Sequence, residues 1–154
     1  MTTEQTQYDI LIGSLISRTD ADEFMERIDE ALDRLFQAKI TFEDSLAEIF
    51  PRSQKEKLMA VIEDKRIVLT ELTEVEAFLR ELKEQVGKIP VLELTLAIDP
   101  SEKLLQNIQE WVVENTEIKV LIETKINKKL IGGLMISMNG YYHDYSVSKI
   151  LEGI

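Results

Sequence analysis

The hydrophobic residues of this chain recur with two different periods, and the period changes near residue 88. Up to Gly87 they recur about every 3.6 positions, the spacing of one buried helix face. This pattern predicts four or five amphipathic helices in a small bundle. From Lys88 onward the period falls to about two, which is typical of strands with one buried face. We therefore expect an α+β fold, with an N-terminal helical bundle over 1–87 and a small mixed β-sheet domain covered by two helices over 88–154.

The apolar stripes of the helical half can serve either of two purposes. A small bundle buries such faces in its own core, which is the default interpretation of Tyr8, Leu11 and Leu15 in the first stripe. If the bundle is incomplete, part of a stripe forms a groove for a partner helix. A later helix carries a comparable row, formed by Leu58, Val61 and Ile62.

Capping residues predict where the helices begin and end. Thr19 or Asp20 caps the second helix, and Thr41 followed by Asp44 resembles a capping box. Gly87 stands where a left-handed C-terminal cap belongs. The second helix should direct one stripe inward, formed by Phe24, Ile28, Leu32, Leu35 and Phe36.

The C-terminal half predicts a strand, a helix and a second strand, in a length that suits a parallel crossover unit. Ile118, Val120 and Ile122 alternate with polar residues in the second strand, and Asn115 is expected to close the helix. The first strand and the helix should bury two sets of residues: Leu92, Leu94, Leu96 and Ile98, and then Leu104, Leu105, Ile108, Trp111 and Val112. The simplest role for Trp111 is a core anchor of its helix, and the other is an interface hot spot.

A hairpin and a last helix should follow. Asn139-Gly140 is the strongest short-range hairpin signal, because a type I′ turn needs positive φ at both central residues. Tyr141 and Tyr142 then form the return arm, one facing inward and one outward. Gly132-Gly133 favours a tight turn or a bulge, since no Gly-x-Gly-x-x-Gly pattern accompanies it. Asp144 or Ser146 can cap a final helix that directs inward Val147, Ile150 and Leu151.

Reactive side chains are sparse in this sequence. His143 is the only histidine, and a lone histidine in a hairpin arm is more often a partly exposed strand residue than a catalytic one. The chain has no cysteine, and its 29 acidic residues are best explained as solvated surface. We therefore expect no catalytic site, no metal site and no cofactor.

Charge and hydropathy narrow the range of partners. A formal charge of -11 repels phosphate backbones and anionic lipid, so neither nucleic-acid binding nor direct membrane adsorption is expected. No apolar run approaches the ~20 residues that span a bilayer. Nor does the N-terminus look like a signal peptide. Any membrane association should therefore go through a partner protein.

One stretch of the chain resembles a known family. The order and spacing of Leu130-Ile131-Gly132-Gly133, the hairpin, and Asp144-Tyr145-Ser146-Val147 are similar to the C-terminal signature of the delta subunit of F-type ATP synthases, whose mitochondrial relative is the oligomycin sensitivity-conferring protein. The resemblance is clear over 91–151 and weaker over 50–87. The signature residues are expected to be structural, with Asp144 and Ser146 forming the turn into the last helix.

The resemblance implies a function without chemistry. In that family the N-terminal helical domain grips N-terminal segments of the alpha subunits, and the C-terminal domain binds the C-terminal helices of subunit b. The complex would place the protein at the cytoplasmic face of the cell membrane, as a peripheral-stalk subunit that resists rotor torque during proton-driven ATP synthesis. On this basis we expect the head-binding groove to be lined by Tyr8, Leu11, Leu15, Leu58, Val61 and Ile62.

Two features depart from the family pattern. The N-terminal half is shorter than is typical of the family, and Asn127-Lys128 stands where Asp-Pro is expected before the Leu-Ile-Gly-Gly run. The alternative interpretation is a free-standing protein-interaction adaptor that shares only the C-terminal fold. An enzyme is a distant third, since it would need a pocket gathering titratable groups around His143.

Overall fold

A computed structural model of the chain describes residues 3–37, 39–130 and 132–144. Over these residues the chain forms six helices and a four-stranded mixed sheet, the α+β fold that the sequence predicts. The helices are α1 Thr3–Ile12, α2 Arg18–Leu35, α3 Phe42–Ile49, α4 Arg52–Asp64, α5 Leu72–Gly87 and α6 Glu102–Thr116. The strands are β1 Val91–Leu96, β2 Leu121–Ile126, β3 Leu134–Met138 and β4 Tyr141–Asp144.

The chain divides into two compact units. The first contains Met1–Leu15 and Ala21–Lys88, and the second contains Ile16–Asp20 and Ile89–Ile154. The hydrophobic pattern gave no sign that residues between α1 and α2 belong with the sheet. The assignment of the two halves to different partners stays a prediction.

The core of the first unit is built from one stripe of each amphipathic helix. In α2 the buried residues recur at helical spacing, from Ala21 through Phe24 and Ile28 to Leu35. On the surface, three side-chain contacts join α2 to the neighbouring helices. They are Arg34 to Glu48 of α3 at 2.8 Å, Arg27 to Gln54 of α4 at 3.2 Å, and Lys83 of α5 to Asp29 at 2.6 Å.

The boundaries of α2, α3 and α5 follow the predicted capping chemistry in part. The hydroxyl of Thr41 accepts a hydrogen bond from the Asp44 amide at 3.2 Å, which confirms the predicted cap of α3. The cap of α2 was placed too late, because Ser17 is the capping residue and its hydroxyl accepts from the Asp20 amide at 3.0 Å. The left-handed cap at Gly87 is wrong: Gly87 is the last residue of α5, and Lys88 after it is right-handed.

The second unit is organised around β1. The strand order is β2-β1-β3-β4, with β2 parallel to β1 and the other neighbouring pairs antiparallel. One face of the sheet packs against α6, and its core consists of Leu92, Leu94, Val112, Val120 and Ile122. Partly buried residues extend this core, namely Leu105, Ile108, Leu134, Ile136 and Met138.

Several residues that were predicted to face the core are exposed instead. Ile98 lies beyond the end of β1 and Ile118 precedes β2, so neither belongs to a strand. Phe36 lies just past the end of α2 and is also exposed. In α6, Val112 and Gln109 point inward, which turns Leu104 and Trp111 outward. The helix ends at a left-handed Glu117, with φ 58°, rather than at Asn115.

The hairpin takes the predicted form. Asn139 and Gly140 both have positive φ, 50° and 82°, as a type I′ turn requires. Gly133 also has a left-handed backbone, with φ 77°. Tyr141 and Tyr142 are both exposed, so the expectation that one faces inward is wrong. Ile131, Ser146, Val147 and the expected final helix lie outside the described residues.

Candidate protein-binding surfaces

The six residues expected to line the head-binding groove lie in the core of the first unit. None has more than 4% of its surface exposed. The first stripe is therefore part of the bundle core, which was its default interpretation. The six are Tyr8, Leu11, Leu15, Leu58, Val61 and Ile62. Direct contact with a partner would require this core to open, and their role in a groove stays a prediction.

Aromatic packing explains why Tyr8 is held inward. Its ring stacks on Phe78 of α5, with centroids 6.3 Å apart and planes inclined by 15°. The ammonium of Lys65, which follows α4, lies 4.4 Å from the centroid of the same ring. Such a cation over an aromatic face is attracted by the ring quadrupole. Tyr8 therefore joins α1 to α5 and to the residue that follows α4.

An apolar cleft opens on the first unit where two connections come together. The α2–α3 connection contributes Phe36 and Ile40, and the α4–α5 connection contributes Leu69. We call this site the Phe36 cleft; its volume is about 510 Å³, and it is lined by Leu35, Phe36, Gln37, Ile40, Thr41, Phe42, Glu43, Leu69, Thr70 and Leu72. Phe36 is 60% exposed and Ile40 is 46% exposed, so the cleft presents two large apolar side chains to solvent.

A second cleft of the first unit is charged rather than apolar. It has a volume of about 560 Å³ and lies between the end of α4 and α5. Both signs of charge line it, with Asp64, Glu74 and Glu81 beside Lys65 and Arg66. Arg66 has a left-handed backbone, with φ 57°, so the chain turns there and α4 does not continue.

The second unit exposes apolar side chains along one line of α6. Leu104 and Trp111 are separated by two helical turns, and the partly buried Ile108 lies between them. We call these three residues the Trp111 face. Trp111 is 61% exposed, and Glu110 and Glu114 flank it on the solvent side. Its main-chain oxygen accepts a hydrogen bond from the Asn115 side chain at 2.8 Å, so Asn115 braces the helix backbone there.

Electrostatic perturbations in the second unit have simple causes. Burial lowers the pKa of Lys119, between α6 and β2, from 10.5 to about 8. A hydrogen bond to Glu93 across the sheet, at 2.7 Å, raises the pKa of Lys125. Neither lysine lines the Phe36 cleft or the charged cleft of the first unit.

His143 lies in β4 opposite Ile136 and is exposed, as expected for a lone histidine in a hairpin arm. Within residues 3–37, 39–130 and 132–144, no group of three or more His, Cys, Asp or Glu residues is arranged to hold a metal ion. Over the same residues no helix is both long enough and apolar enough to cross a bilayer.

Sequence reasoning missed the Phe36 cleft and the residues that complete it. Phe36 was assigned to the core stripe because it continues the helical spacing, but α2 ends one residue earlier. Ile40 and Leu69 lie in connections, where periodicity carries no information about which side faces the core. The only usable signal was the presence of large apolar residues in connections between helices.

These observations define a class of protein before any comparison: a two-unit α+β chain with exposed apolar side chains on each unit. Comparison with known sequences gives the family. A model of the ATP synthase delta (OSCP) subunit family matches residues 26–154. The chain is also 33% identical, over 81 residues, to a Moorella thermoacetica protein named ATP synthase subunit delta. That match covers 53% of this chain and 46% of the relative, so it spans about half the relative's length. The chain belongs to the ATP synthase delta (OSCP) subunit family.

Proposed function

We propose that this protein is the stator subunit that joins the catalytic head of an F-type ATP synthase to subunit b, and that it does no chemistry itself. The observation that carries the proposal is the family match over residues 26–154, which includes residues of both compact units. A connector must hold two partners at once. A chain with two units, each with its own exposed apolar surface, suits that task.

The first unit is proposed to bind the N-terminal segments of the alpha subunits. An amphipathic helix binds by placing two or three apolar side chains in a groove. The Phe36 cleft offers Phe36 and Ile40 for this contact, with Glu43 as the charged residue of its lining. In this proposal a packed layer of buried side chains fixes α1 and α4. The layer consists of Tyr8, Leu11, Leu15, Leu58, Val61 and Ile62.

The second unit is proposed to bind the C-terminal helices of subunit b through the Trp111 face. A largely exposed tryptophan has a large apolar area to bury, and tryptophan is enriched among interface hot spots. Glu110 and Glu114 favour a partner helix that carries lysine or arginine beside its apolar stripe. Through such a complex the protein would be held at the cytoplasmic face of the membrane.

Two synthetic peptides test both contacts with reciprocal variants. Phe36→Asp should weaken binding of an alpha-subunit N-terminal peptide by about tenfold or more and leave binding of a subunit b C-terminal peptide unchanged. Trp111→Asp should do the reverse. Because Trp111 is the only tryptophan of the chain, its fluorescence should shift to the blue when the b peptide binds.

Each variant serves as the folding control of the other. Binding of neither peptide by the wild-type chain would contradict the stator proposal and favour a free-standing adaptor. Unchanged affinities in both variants, with both peptides bound, would instead contradict the assignment of the two surfaces.

A further inference from the structure

The connection between α1 and α2 is bound to the sheet of the second unit. The main-chain oxygen of Ile16 accepts a hydrogen bond from the Ile122 amide at 2.9 Å, and Ser17 forms a parallel bridge with Ile122. Arg18 makes an ion pair with Glu123 at 3.3 Å. Three consecutive residues therefore contact β2, which is an outer strand in the order β2-β1-β3-β4.

Gln109 of α6 adds a hydrogen bond to the same connection. Among the residues that the structure describes, it is one of the few polar ones that are buried, with 5% of its surface exposed. Its side-chain amide donates to the oxygen of Val120 at 2.8 Å and to the oxygen of Ile16 at 3.3 Å. A single side chain of α6 thus joins the approach to β2 to the α1–α2 connection. Buried polar groups need such partners, so the bond to Ile16 is part of how Gln109 is satisfied.

Hydrogen bonds between residues of the connection also stabilise its conformation. The carboxylate of Asp20 accepts hydrogen bonds from the amides of Ser17 at 3.0 Å and Ile16 at 3.3 Å, while the Ser17 hydroxyl accepts from the Asp20 amide. This reciprocal capping box fixes the turn into α2 at the point where the chain contacts the sheet. Three hydrogen bonds therefore join Ile16 and Ser17 to Asp20 within the connection.

We propose that Ile16–Asp20 is a strap that closes the β2 edge and makes the fold of the second unit depend on the N-terminal part of the chain. An open strand edge presents unpaired amides that another chain can bind. The strap covers the first half of β2, where Leu121 and Ile122 are buried, and the charged Lys125 protects the exposed second half. The chain consequently enters the second unit twice, at Ile16 and at Ile89.

Amide hydrogen exchange in the full-length wild-type chain tests the strap without any substitution. Alternate amides of a strand point to the same side, so those of Ile122 and Thr124 both point away from β1. The strap should slow exchange at Ile122 by at least about tenfold relative to Thr124. Equal rates at the two amides would overturn the proposal.

A matched pair of variants on α6 then tests the role of Gln109. Gln109→Met keeps the length of the side chain and removes both hydrogen bonds, so exchange at Ile122 should accelerate by about tenfold. Gln106→Met makes the same change at an exposed position and should leave exchange at Ile122 unaltered. Equal effects of the two variants on Ile122 would also overturn the proposal, since the strap would then not rest on Gln109.

Discussion

The rings of Tyr8 and Phe78 stack with their centroids 6.3 Å apart, although seventy positions of sequence separate them. This contact joins the first helix of the chain to α5, and Tyr8 is 4% exposed. A residue in that position stabilises the fold of the first unit, and it is too deeply buried to contact a partner directly. Loss of binding after a change at Tyr8, Leu11 or Leu58 would therefore report unfolding of the unit and not loss of a contact.

We predict that Tyr8→Ala destabilises the first unit by about 3 kcal/mol, because it removes a buried aromatic ring and leaves a cavity. Urea unfolding followed by helical ellipticity would measure the effect. Phe36→Ala is the matched control: it also truncates an aromatic ring, but at a 60% exposed position, and it should change the free energy of unfolding by less than about 0.5 kcal/mol. Equal losses in the two variants would show that Tyr8 is not a core residue.

Two glycines of the first unit should respond in opposite ways to alanine. At Gly13 an added Cβ would lie 2.6 Å from the main-chain oxygen of Asp9, which already accepts the Gly13 amide. Gly13→Ala should therefore destabilise the unit by about 1–3 kcal/mol. At Gly87, in the last turn of α5, an added Cβ meets nothing within 4 Å, and Gly87→Ala should stabilise by about 0.5 kcal/mol. Thermal unfolding of both variants gives the comparison, and the same sign for both would contradict it.

The type I′ turn of the hairpin makes Gly140 the sensitive position. With φ at 82°, any L side chain is strained there, so Gly140→Ala should lower the stability of the second unit by about 1 kcal/mol. Asn139→Gly is the control, since glycine accepts the positive φ of that position and should leave stability within about 0.5 kcal/mol. Amide exchange of β3 and β4 would resolve the two variants. Faster exchange in the Asn139 variant alone would contradict the assigned turn.

Lys119 should give the stability of the second unit a distinctive pH dependence. Burial lowers its pKa to about 8 in the folded chain, against 10.5 for the ordinary group. Below pH 8 both states carry the proton, and the folded state bears the unfavourable burial of charge. Between about pH 8 and 10.5 only the unfolded state binds the proton, so stability rises with pH.

Lys119→Met removes the titrating group and keeps the apolar stem. The wild-type free energy of unfolding, measured relative to this variant, should rise between pH 8 and 10.5 by an amount on the order of 1 kcal/mol, reduced by partial solvent access. Urea titrations of both proteins at several pH values would measure it. A difference that stays flat across this interval would show that burial does not perturb the lysine.

The parts of the fold that were predicted correctly depend on local chemistry. Asn139-Gly140 and the Thr41 cap each need only a few neighbouring residues, and both are present as expected. The inward faces of the helices were less certain, because apolar residues surround more than one side of α6. In α6 the buried residues are Val112 and the polar Gln109. Their packing sets the orientation of the helix and leaves Trp111 exposed to solvent.

The parts that could not be predicted depend on contacts between distant residues. The carbonyl of Ile16 bonds to Ile122 and to Gln109, and nothing in the polar residues around Ser17 marks them as part of a sheet. The Phe36 cleft arises where two connections meet, and the sequence does not encode that meeting in any period. The hydrophobic pattern assigned Phe36 to the core because this residue continues the helical spacing, although α2 ends at Leu35.

The stator proposal is tested most directly by assembly of a ternary complex. Full-length protein would be mixed with the catalytic head of its own ATP synthase and a C-terminal fragment of subunit b, and the masses of the complexes measured by native mass spectrometry. The account predicts one species that contains all three components, and loss of the b fragment alone with Trp111→Asp. A chain that binds neither the head nor the fragment, while remaining folded, would contradict it.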